Sequence, residues 1–283
     1  MGQWMVRMGE SMLKSKPVRK HFTRVLRNTL IAQCRIRNAE VRIRTEGGLM
    51  FVSGEEDDAI VDALKHTFGV NAVDPFTEVE PTPEDVANAA LKFNPNPEGS
   101  FAVRCKRHGQ KKEWTSQTFA GATGAAVLEK VELSVNLGNP DWAIRVALFA
   151  DKARLLGTRF MGPGGLPSGV QGLVMAHLNS EEDLLCAWLM MHRGCRIQAI
   201  EGTVEKLKVW DPALVSEEYA QKLVTGPGRD QNPKPWGIVA HHLPGAPTTI
   251  GEDESIRTPL AHLEPLMGWS KEEIGTLRNR VFG

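Results

Sequence analysis

Residues 39–52 read AEVRIRTEGGLMFV. Valine and isoleucine alternate with two arginines from position 41 to position 44, and this period of two is typical of a strand with one buried face. The adjacent glycines Gly47 and Gly48 are a turn signal, and the apolar run 49–52 supplies a second strand. The stretch therefore predicts a β-hairpin.

The segments on either side of this hairpin complete a small α/β unit. Before it, residues 3–9 predict a strand and residues 16–34 a helix, whose apolar side chains recur every three or four positions opposite a basic face. After it, residues 55–68 predict a second helix and residues 70–79 a further strand. The order βαββαβ is that of the ferredoxin-like fold, which we assign to residues 1–80.

The rest of the chain predicts two further units, at residues 81–170 and 171–283. The second unit has predicted helices at 84–93 and 116–128, predicted strands at 101–107, 142–150 and 153–160, and a final Gly- and Pro-rich loop at 161–169. The third has predicted strands at 173–178, 196–200 and 236–241, and helices at 181–192 and from Ser270 onward. Its strand-helix-strand order indicates a short parallel α/β sheet.

The chain of 283 residues has 34 basic and 34 acidic side chains, but these charges are unevenly spread. The net charge is +8 over residues 1–50, −9 over 51–100, +5 over 101–172 and −4 over 173–283. Two basic blocks separated by an acidic one indicate a surface that binds a polyanion, with solvated charged faces as the alternative. No run of about 18 apolar residues occurs, which excludes a conventional membrane helix.

The four cysteines lie far apart and form no CxxC motif; they are Cys34, Cys105, Cys186 and Cys195. This spacing argues against a zinc ribbon and against a disulfide scaffold. We therefore expect a protein of the reducing cytoplasm.

Several segments, spread in order along the chain, carry a family signature. They are VRMGE at 6–10, LKSK at 13–16, FAVR at 101–104, NLGNPD at 136–141, GPGGLP at 162–167, LMMHRGC at 189–195 and LMGWSKEEI at 266–274. Colinear segments are far more specific than a single glycine-rich loop. Together they resemble the tRNA 4-thiouridine synthetases over most of the chain.

The resemblance implies three domains. These are a ferredoxin-like domain, a THUMP domain, which is a small RNA-binding module, and a Rossmann-like PP-loop domain of the adenine nucleotide alpha hydrolase type, here truncated. Members of that family use ATP to adenylate uridine 8 of tRNA and then replace its oxygen with sulfur. Their ATP loop reads Ser-Gly-Gly-x-Asp-Ser, in which the glycines let backbone amides approach the phosphates.

The stretch that corresponds to this loop, residues 178–187, reads LNSEEDLLCA, and only Asp183 falls on a motif position. A carboxylate about 4 Å from a phosphate charge costs on the order of 4 kcal/mol at an effective dielectric near 20. We therefore expect ATP binding to be lost and no cofactor to be bound. The degenerate ATP loop consists of Asn179, Ser180, Glu181, Glu182, Asp183 and Leu184. The same residues also suit a plain helix start, with Asn179 or Ser180 as the cap.

Sulfur and metal chemistry also have no clear sequence signal. Cys186 lies among apolar residues of a predicted helix and Cys195 at the start of a predicted strand, so both are expected to be buried small hydrophobes. The adjacent His241 and His242 cannot both face one site from a strand, and we therefore expect no metal site.

The sequence favours a non-catalytic tRNA-binding protein whose THUMP unit, by resemblance, reads the 3′ end of the acceptor stem. Its third unit would serve as a scaffold or a dimer interface. The RNA-binding candidates are Lys14, Lys16, Arg19, Lys20 and Arg24 in the first unit, Arg104, Lys106, Arg107, Lys111, Lys112 and Arg145 in the second, and the backbone amides of Gly164 and Gly165. One alternative is an active thiolation enzyme, or a subunit of one that acts with a catalytic partner. A further alternative is an assembly factor that does not bind RNA.

Overall fold

The computed structural model describes residues 1–9, 15–109, 113–223, 234–243, 245, 249–250 and 258–283. Its first unit has the order βαββαβ, as predicted. The elements are β1 (Gly2–Met8), α1 (Lys16–Arg35), β2 (Arg42–Glu46), β3 (Leu49–Gly54), α2 (Asp57–Lys65) and β4 (Val70–Val79). The strands lie in the order β2-β3-β1-β4, which is the ferredoxin-like arrangement, and each neighbouring pair is antiparallel.

The β2–β3 hairpin has a two-residue turn. Glu46 pairs with Leu49, and the two glycines between them have φ angles of 56° and 80°. Tight turns that match the right-handed twist of the strands need positive φ at both central positions, which glycine adopts without steric cost. The Gly47–Gly48 pair therefore fixes the register of β2 and β3.

The second unit adds two helices and five strands to the chain. The elements are α3 (Pro83–Phe93), β5 (Ser100–Arg107), α4 (Ser116–Leu128), β6 (Ser134–Val135), β7 (Trp142–Leu148), β8 (Ala153–Leu156) and β9 (Phe160–Met161). Strand β5 lies between β6 and β7 and is parallel to both, whereas β8 is antiparallel to β7. Buried residues of α3, α4 and the sheet form one hydrophobic core.

The single strand predicted at 153–160 is in fact two strands, β8 and β9. Both pair with β4: Phe76 pairs with Leu156, and Val73 pairs with Phe160. Three residues, 157–159, lie opposite only two on β4, and one of those two is Pro75. Proline has no N–H to donate, so the ladder is interrupted there.

Strand β4 belongs to the sheets of both units. Its first half pairs with β1 and β9, and its second half pairs with β8. The strand order along the combined sheet is β2-β3-β1-β4-β8-β7-β5-β6. The first two units are therefore joined by continuous backbone hydrogen bonding.

The third unit is an α/β layer built on a parallel sheet. Its elements are β10 (Leu173–Leu178), α5 (Glu181–His192), β11 (Arg196–Gly202), α6 (Glu217–Lys222), β12 (Gly237–Val239), β13 (Thr249–Ile250), β14 (Thr258–Pro259), β15 (Ala261–Leu263) and α7 (Lys271–Phe282). The four-stranded sheet has the order β11-β10-β12-β15, with parallel neighbours, as the strand-helix-strand pattern predicted. Sequence reasoning missed α6, β15 and the small β13–β14 pair.

The first and third units share an aromatic contact. Phe68, just after α2, is fully buried in the core of the third unit, where it stacks on Trp210 and meets the edge of Trp188. Gln33 of α1 donates a hydrogen bond to the carbonyl of Val209 at 3.2 Å. Within the described ranges, no helix has both the length and the apolar character needed to cross a membrane.

Candidate nucleic-acid interface

One face of α1 carries a row of cations at the spacing of successive helical turns. Lys16, Lys20, Arg24 and Arg27 are exposed there, and Arg19 is half-buried beside them. The opposite face is buried: Leu26 packs into the core of the first unit, and Phe22 packs in a separate cluster with Leu166 and Val170. The helical period therefore separates a buried apolar stripe from an exposed basic one.

These cations line a groove of about 820 Å³ between α1 and the turn of the β2–β3 hairpin, residues 45–48. We call it the α1 groove; its cationic residues are Lys16, Arg19, Lys20, Arg24 and Arg27. Among the described residues of its lining, Glu46 is the acidic one. Four of the predicted RNA-binding residues are thus brought together, and Arg27, three residues after Arg24, joins them. The helical spacing was the signal that could have added Arg27 to the prediction.

The start of α1 reinforces the positive charge of this groove. The first turn contains no acidic side chain, and Ser15, at the cap position, makes no side-chain hydrogen bond to the helix. The N-terminal end of a helix carries about half a positive charge, which nearby cations add to. The α1 groove therefore suits an external anion.

The cations predicted on the second unit lie along β5. Arg104 and Lys106 are exposed, and Arg107 is half-buried. The guanidinium of Arg104 donates to the carbonyl of Leu137, and that of Arg107 donates to the carbonyl of Gly109 at 3.3 Å. These bonds fix the direction of both arginines through neutral acceptors, and neither guanidinium forms an ion pair with a carboxylate of the described residues.

The segment NLGNPD, which contains Leu137, is an ordered turn beside β5. The Asn136 side chain accepts from the amide of Gly138 at 3.0 Å and donates to the carbonyl of Asn139 at 2.8 Å. Asp141 accepts from the amide and the hydroxyl of Ser100 at 2.9 and 2.6 Å, and these hydrogen bonds lower the pKa of its carboxyl. The motif residues thus hold the loop that positions Arg104.

Arg145, also predicted to bind RNA, is part of an ion-pair cluster centred on Asp74. The carboxylate of Asp74 is fully buried in β4 and accepts from Arg7 at 3.1 Å, from Arg159 at 2.9 Å and from Arg145. Burial alone would raise the pKa of Asp74, but the hydrogen bonds and charges of Arg159 and Arg145 outweigh it and lower that pKa. Three guanidinium groups share one carboxylate, so the cluster keeps an excess of positive charge. Sequence reasoning missed Arg7, Asp74 and Arg159, because the partners lie far apart in the chain.

The glycine loop after β9 has a structural explanation. The amide of Gly164 donates to the carbonyl of Val70 at 2.8 Å, so this amide is not available to a phosphate, contrary to the sequence expectation. Gly165 has a φ of 70°, and a Cβ at this position would lie 2.2 Å from the carbonyl oxygen of His192. Gly164 is therefore explained by its φ of 74°, and Gly165 by its positive φ together with the close approach of the loop to His192. The predicted Lys14, Lys111 and Lys112 lie outside the described residues.

The segment 178–184 follows the carboxyl end of β10, the edge at which parallel sheets bind ligands. Ser180, rather than Asn179, caps α5: its hydroxyl accepts from the amide of Asp183 at 3.1 Å, and the Asp183 carboxylate accepts from the Ser180 amide at 3.0 Å. The buried Asp183 also accepts from the amide of His241 at 2.7 Å. Asp183 therefore ties the start of α5 to the end of β12.

The two glutamates at the start of α5 have cationic partners within the chain. Arg278 of α7 forms ion pairs with both Glu181 and Glu182, and Lys206 lies 3.6 Å from Glu181. Asn179 instead donates to Glu201 at 2.9 Å, and Leu184 is buried in the core. The positive end of this helix is thus occupied by carboxylates of the chain itself.

The cysteines of the third unit are buried thiols. Burial raises the pKa of Cys186 to about 12 and that of Cys195 to about 12. Both are therefore protonated at neutral pH, and a thiol reacts as a nucleophile only through its thiolate. His242 lies 3.6 Å from Glu264, and the described part of the chain contains no group of three or more side chains placed to hold a metal ion.

Comparison with known proteins identifies the first two units. The family model for the ThiI ferredoxin-like domain matches residues 3–73, and the THUMP domain model matches residues 84–156. A probable tRNA sulfurtransferase of Methanothermobacter thermautotrophicus is 32% identical over 207 residues, which cover 69% of this chain and 51% of the relative. The chain belongs to the tRNA 4-thiouridine synthetase family. A probable tRNA sulfurtransferase of Methanocaldococcus jannaschii is also 32% identical, over 68% of this chain and 53% of its own length.

Two solved structures share the fold of this family member over 99% of its chain. A protein from Pyrococcus horikoshii superposes with a TM-score of 0.75 at 21% identity over 99% of its length. A 4-thiouridine synthetase in complex with RNA and ATP superposes with a TM-score of 0.71 at 19% identity over 85% of its length. The structural similarity therefore includes the third unit as well as the first two. The chain spans about half the length of the curated relatives it matches.

Proposed function

We propose that this member of the 4-thiouridine synthetase family binds tRNA in the cytoplasm through its first two units and does not itself catalyse thiolation. The observation that carries the proposal is the contrast between an exposed basic α1 groove and an α5 start filled by the chain's own carboxylates. The partner is the acceptor-stem end of tRNA, in keeping with the THUMP resemblance.

The RNA side of the proposal rests on charge and exposure. The cations of the α1 groove and of β5 belong to two units that share one combined sheet. Hydrogen bonds to backbone carbonyls hold two of them, Arg104 and Arg107, in place. Phosphate contacts from Lys and Arg supply most of the sequence-independent affinity of nucleic-acid-binding proteins. A basic groove of this kind suits a molecule recognised by backbone shape, as double-stranded RNA is.

The absence of catalysis is proposed from the start of α5. An ATP loop presents backbone amides to phosphates, whereas here the Ser180 and Asp183 amides donate to side chains within the chain. A pyrophosphate at this position would meet Glu181 and Glu182 at the same end of the helix. Arg278 offsets part of their charge, so the penalty is smaller than that of two bare carboxylates, yet the cap still occupies the donors. The buried, protonated Cys186 and Cys195 are poor sulfur carriers.

A single purified sample tests both the binding of tRNA and the loss of ATP binding. Transfer RNA binding is measured over a range of salt concentrations, and ATP binding is measured by calorimetry on the same protein. We expect the logarithm of RNA affinity to fall linearly with the logarithm of salt, by roughly 0.7 to 0.9 per phosphate contact. A salt-independent affinity, or ATP binding in the micromolar range, contradicts the proposal.

A second candidate function is tRNA thiolation, by this chain with a remodelled site or together with a catalytic partner. It is favoured by the curated relatives, which are named as probable tRNA sulfurtransferases, and by the retained α/β layer. Release of AMP that depends on added tRNA discriminates between the two. Release by the purified chain supports a self-sufficient enzyme, and release only after addition of a co-purified protein supports a partnered one.

A further inference from the structure

One arginine of the second unit is buried against the first. Arg154, on β8, is only 3% exposed. The central carbon of its guanidinium lies 4.2 Å from the ring centroid of Phe51 in β3 and 4.1 Å from that of Phe149, which follows β7. The ring of Phe76 in β4 is 5.4 Å away. Aromatic faces attract a cation at such distances, so rings from both units hold this guanidinium in a fixed position.

Arg154 also pairs with carboxylates on two strands of the first unit. Its Nε and Nη2 donate to Oε1 of Glu78 in β4 at 3.3 and 3.2 Å, and Nη2 lies 3.9 Å from Oε2 of Glu46, the last residue of β2. Glu78 has a second cationic partner, because Arg44 donates to it at 2.7 Å. Within the described ranges, by contrast, the cation paired with Glu46 is Arg154.

Glu46 belongs both to this ion-pair network and to the lining of the α1 groove. Its side chain is 52% exposed, at the hairpin turn that faces the cations of α1 across the groove. A carboxylate tethered beside these cations acts on them at an effective concentration on the order of a millimolar. If it were released from Arg154, it would compete with an external anion for the same cations.

We propose that Arg154 is a positioning residue for the α1 groove, which holds the carboxylate of Glu46 away from the cations of α1 and so keeps those cations available to an anion. This inference rests on the proposed function and adds a means by which the second unit controls anion binding by the first. Arg154 is too deeply buried to bind RNA itself, so its effect passes through Glu46. Its removal should let the groove bind its own carboxylate.

The test is a double-mutant cycle on the affinity of the full chain for tRNA. It compares the wild type, Arg154→Gln, Glu46→Gln and the double variant at about 0.15 M salt, where exposed charges more than about 8 Å apart are largely screened. Arg154→Gln should weaken binding roughly two- to fivefold, which corresponds to the strength of an exposed ion pair. In the Glu46→Gln background the same change should weaken binding by less than about twofold, because no carboxylate is left to compete.

Lys152→Gln is the matched control, because it removes one positive charge only two residues from Arg154. Lys152 pairs with the exposed Glu80 at 3.6 Å and lies outside the described lining of the α1 groove. It should weaken tRNA binding by less than about twofold in either background, since its charge is screened. A loss in Lys152→Gln equal to that in Arg154→Gln attributes the effect to net charge and overturns the inference.

Arg154→Lys separates the contact with Glu46 from the charge of the buried cation. Lysine keeps the positive charge among the rings but lacks the Nη2 atom that approaches Glu46. It should weaken binding in the same direction as Arg154→Gln, and it replaces that variant in the cycle if thermal unfolding shows that Arg154→Gln does not fold.

The cycle distinguishes failure of the inference from failure of the proposed function. Equal losses of affinity in the two Glu46 backgrounds, or no loss in either, overturn the positioning role of Arg154 and leave tRNA binding by the wild type standing. A wild-type chain that does not bind tRNA overturns the proposed function itself.

Discussion

The starts of α1 and α5 are chemically opposite. Both helices present the positive end of a helix dipole, but α1 has no acidic residue in its first turn and no side-chain cap, whereas α5 has three acidic residues and a reciprocal capping box. Among the described residues, nothing neutralises the positive charge at the start of α1, whereas at α5 carboxylates of the chain neutralise it. The difference indicates that the start of a helix can bind an anion only where side chains of the chain itself neither accept from its backbone amides nor neutralise its positive charge.

The largest loss of stability is expected from a change at Asp74, because its carboxylate holds three arginines together. Asp74→Asn leaves the guanidinium groups of Arg7, Arg145 and Arg159 facing one another around a neutral amide. Breaking a buried ion pair in this way costs about 3–5 kcal/mol. Denaturant titration should show this loss in the free energy of unfolding. Asp151→Asn, in the exposed turn between β7 and β8, is the control and should stay within about 0.5 kcal/mol of the wild type.

The difference in stability between the wild type and Asp74→Asn should also depend on pH. The pKa of Asp74 is lower in the folded chain than its usual value near 3.9, because the arginines outweigh burial. Its contribution to stability is therefore present above about pH 4 and is lost as the pH falls below that value toward the folded-state pKa. The difference in unfolding free energy between the wild type and Asp74→Asn should shrink over that acidic range. A difference that grows there instead reverses the sign and refutes the assignment.

The next largest effect is expected at the start of α1, where charge reversal should lower RNA affinity and leave stability unchanged. Lys16→Glu combined with Lys20→Glu should weaken tRNA binding by at least about tenfold, or ~1.4 kcal/mol, and reduce the salt slope by roughly 1.4 to 1.8. The fold should be unharmed, because Lys16 lies in the first helical turn, where an acidic residue is favourable, and Lys20 is exposed on the helix surface. Lys271→Glu is the matched control, since Lys271 is the first residue of α7 as Lys16 is of α1. An equal loss of RNA binding in that control contradicts the α1 groove as the site.

A third effect concerns the caps of the two helices. Ser180→Ala removes the cap of α5 and should lower the free energy of unfolding by about 1 kcal/mol, without changing tRNA affinity. Ser15→Ala, at the start of α1, removes a side chain that makes no cap hydrogen bond, so its effect should be much smaller. Thermal unfolding of both variants, with RNA binding measured in parallel, checks the comparison. Equal losses of stability mean that the two starts do not differ as described.

The smallest effect is expected at the ion pairs of α5. Arg278→Ala separates α7 from Glu181 and Glu182, but all three side chains are partly exposed, so the loss of stability should be below about 1 kcal/mol. The loss should diminish further at high salt, because the charges are screened. Unfolding curves at low and high salt measure it. A loss that is large and independent of salt indicates that Arg278 serves the packing of α7 instead.

Much of the fold could be predicted because its signals are local. The alternation at 41–44 and the Gly47–Gly48 turn predict β2 and β3, and the helical period of α1 separates its buried face from its basic face. The break between β8 and β9 could not be predicted from residues 153–160 themselves. It depends on Pro75, which lies opposite them only after β4 has paired with both strands.

The candidate site was predictable to a smaller degree, since free charge depends on distant partners. Lys16, Lys20 and Arg24 are exposed as their helical face predicts. Arg145 was predicted from the sequence as an RNA-binding cation in the same way, yet it pairs with Asp74, 71 residues away. A lone charge in a sequence gives no indication of the carboxylate that it will meet.

Local signals were enough to predict the order of elements in the first unit, the basic face of α1 and the acidic start of α5, because periodicity, turns and caps act over a few neighbouring residues. Which charges remain available depends on packing between distant parts of the chain, which buries Asp74 among three arginines and occupies the Gly164 amide. Ion pairs, backbone hydrogen bonds and cavities between elements form between residues far apart in the chain. Their partners are fixed only when the sheets and helices pack.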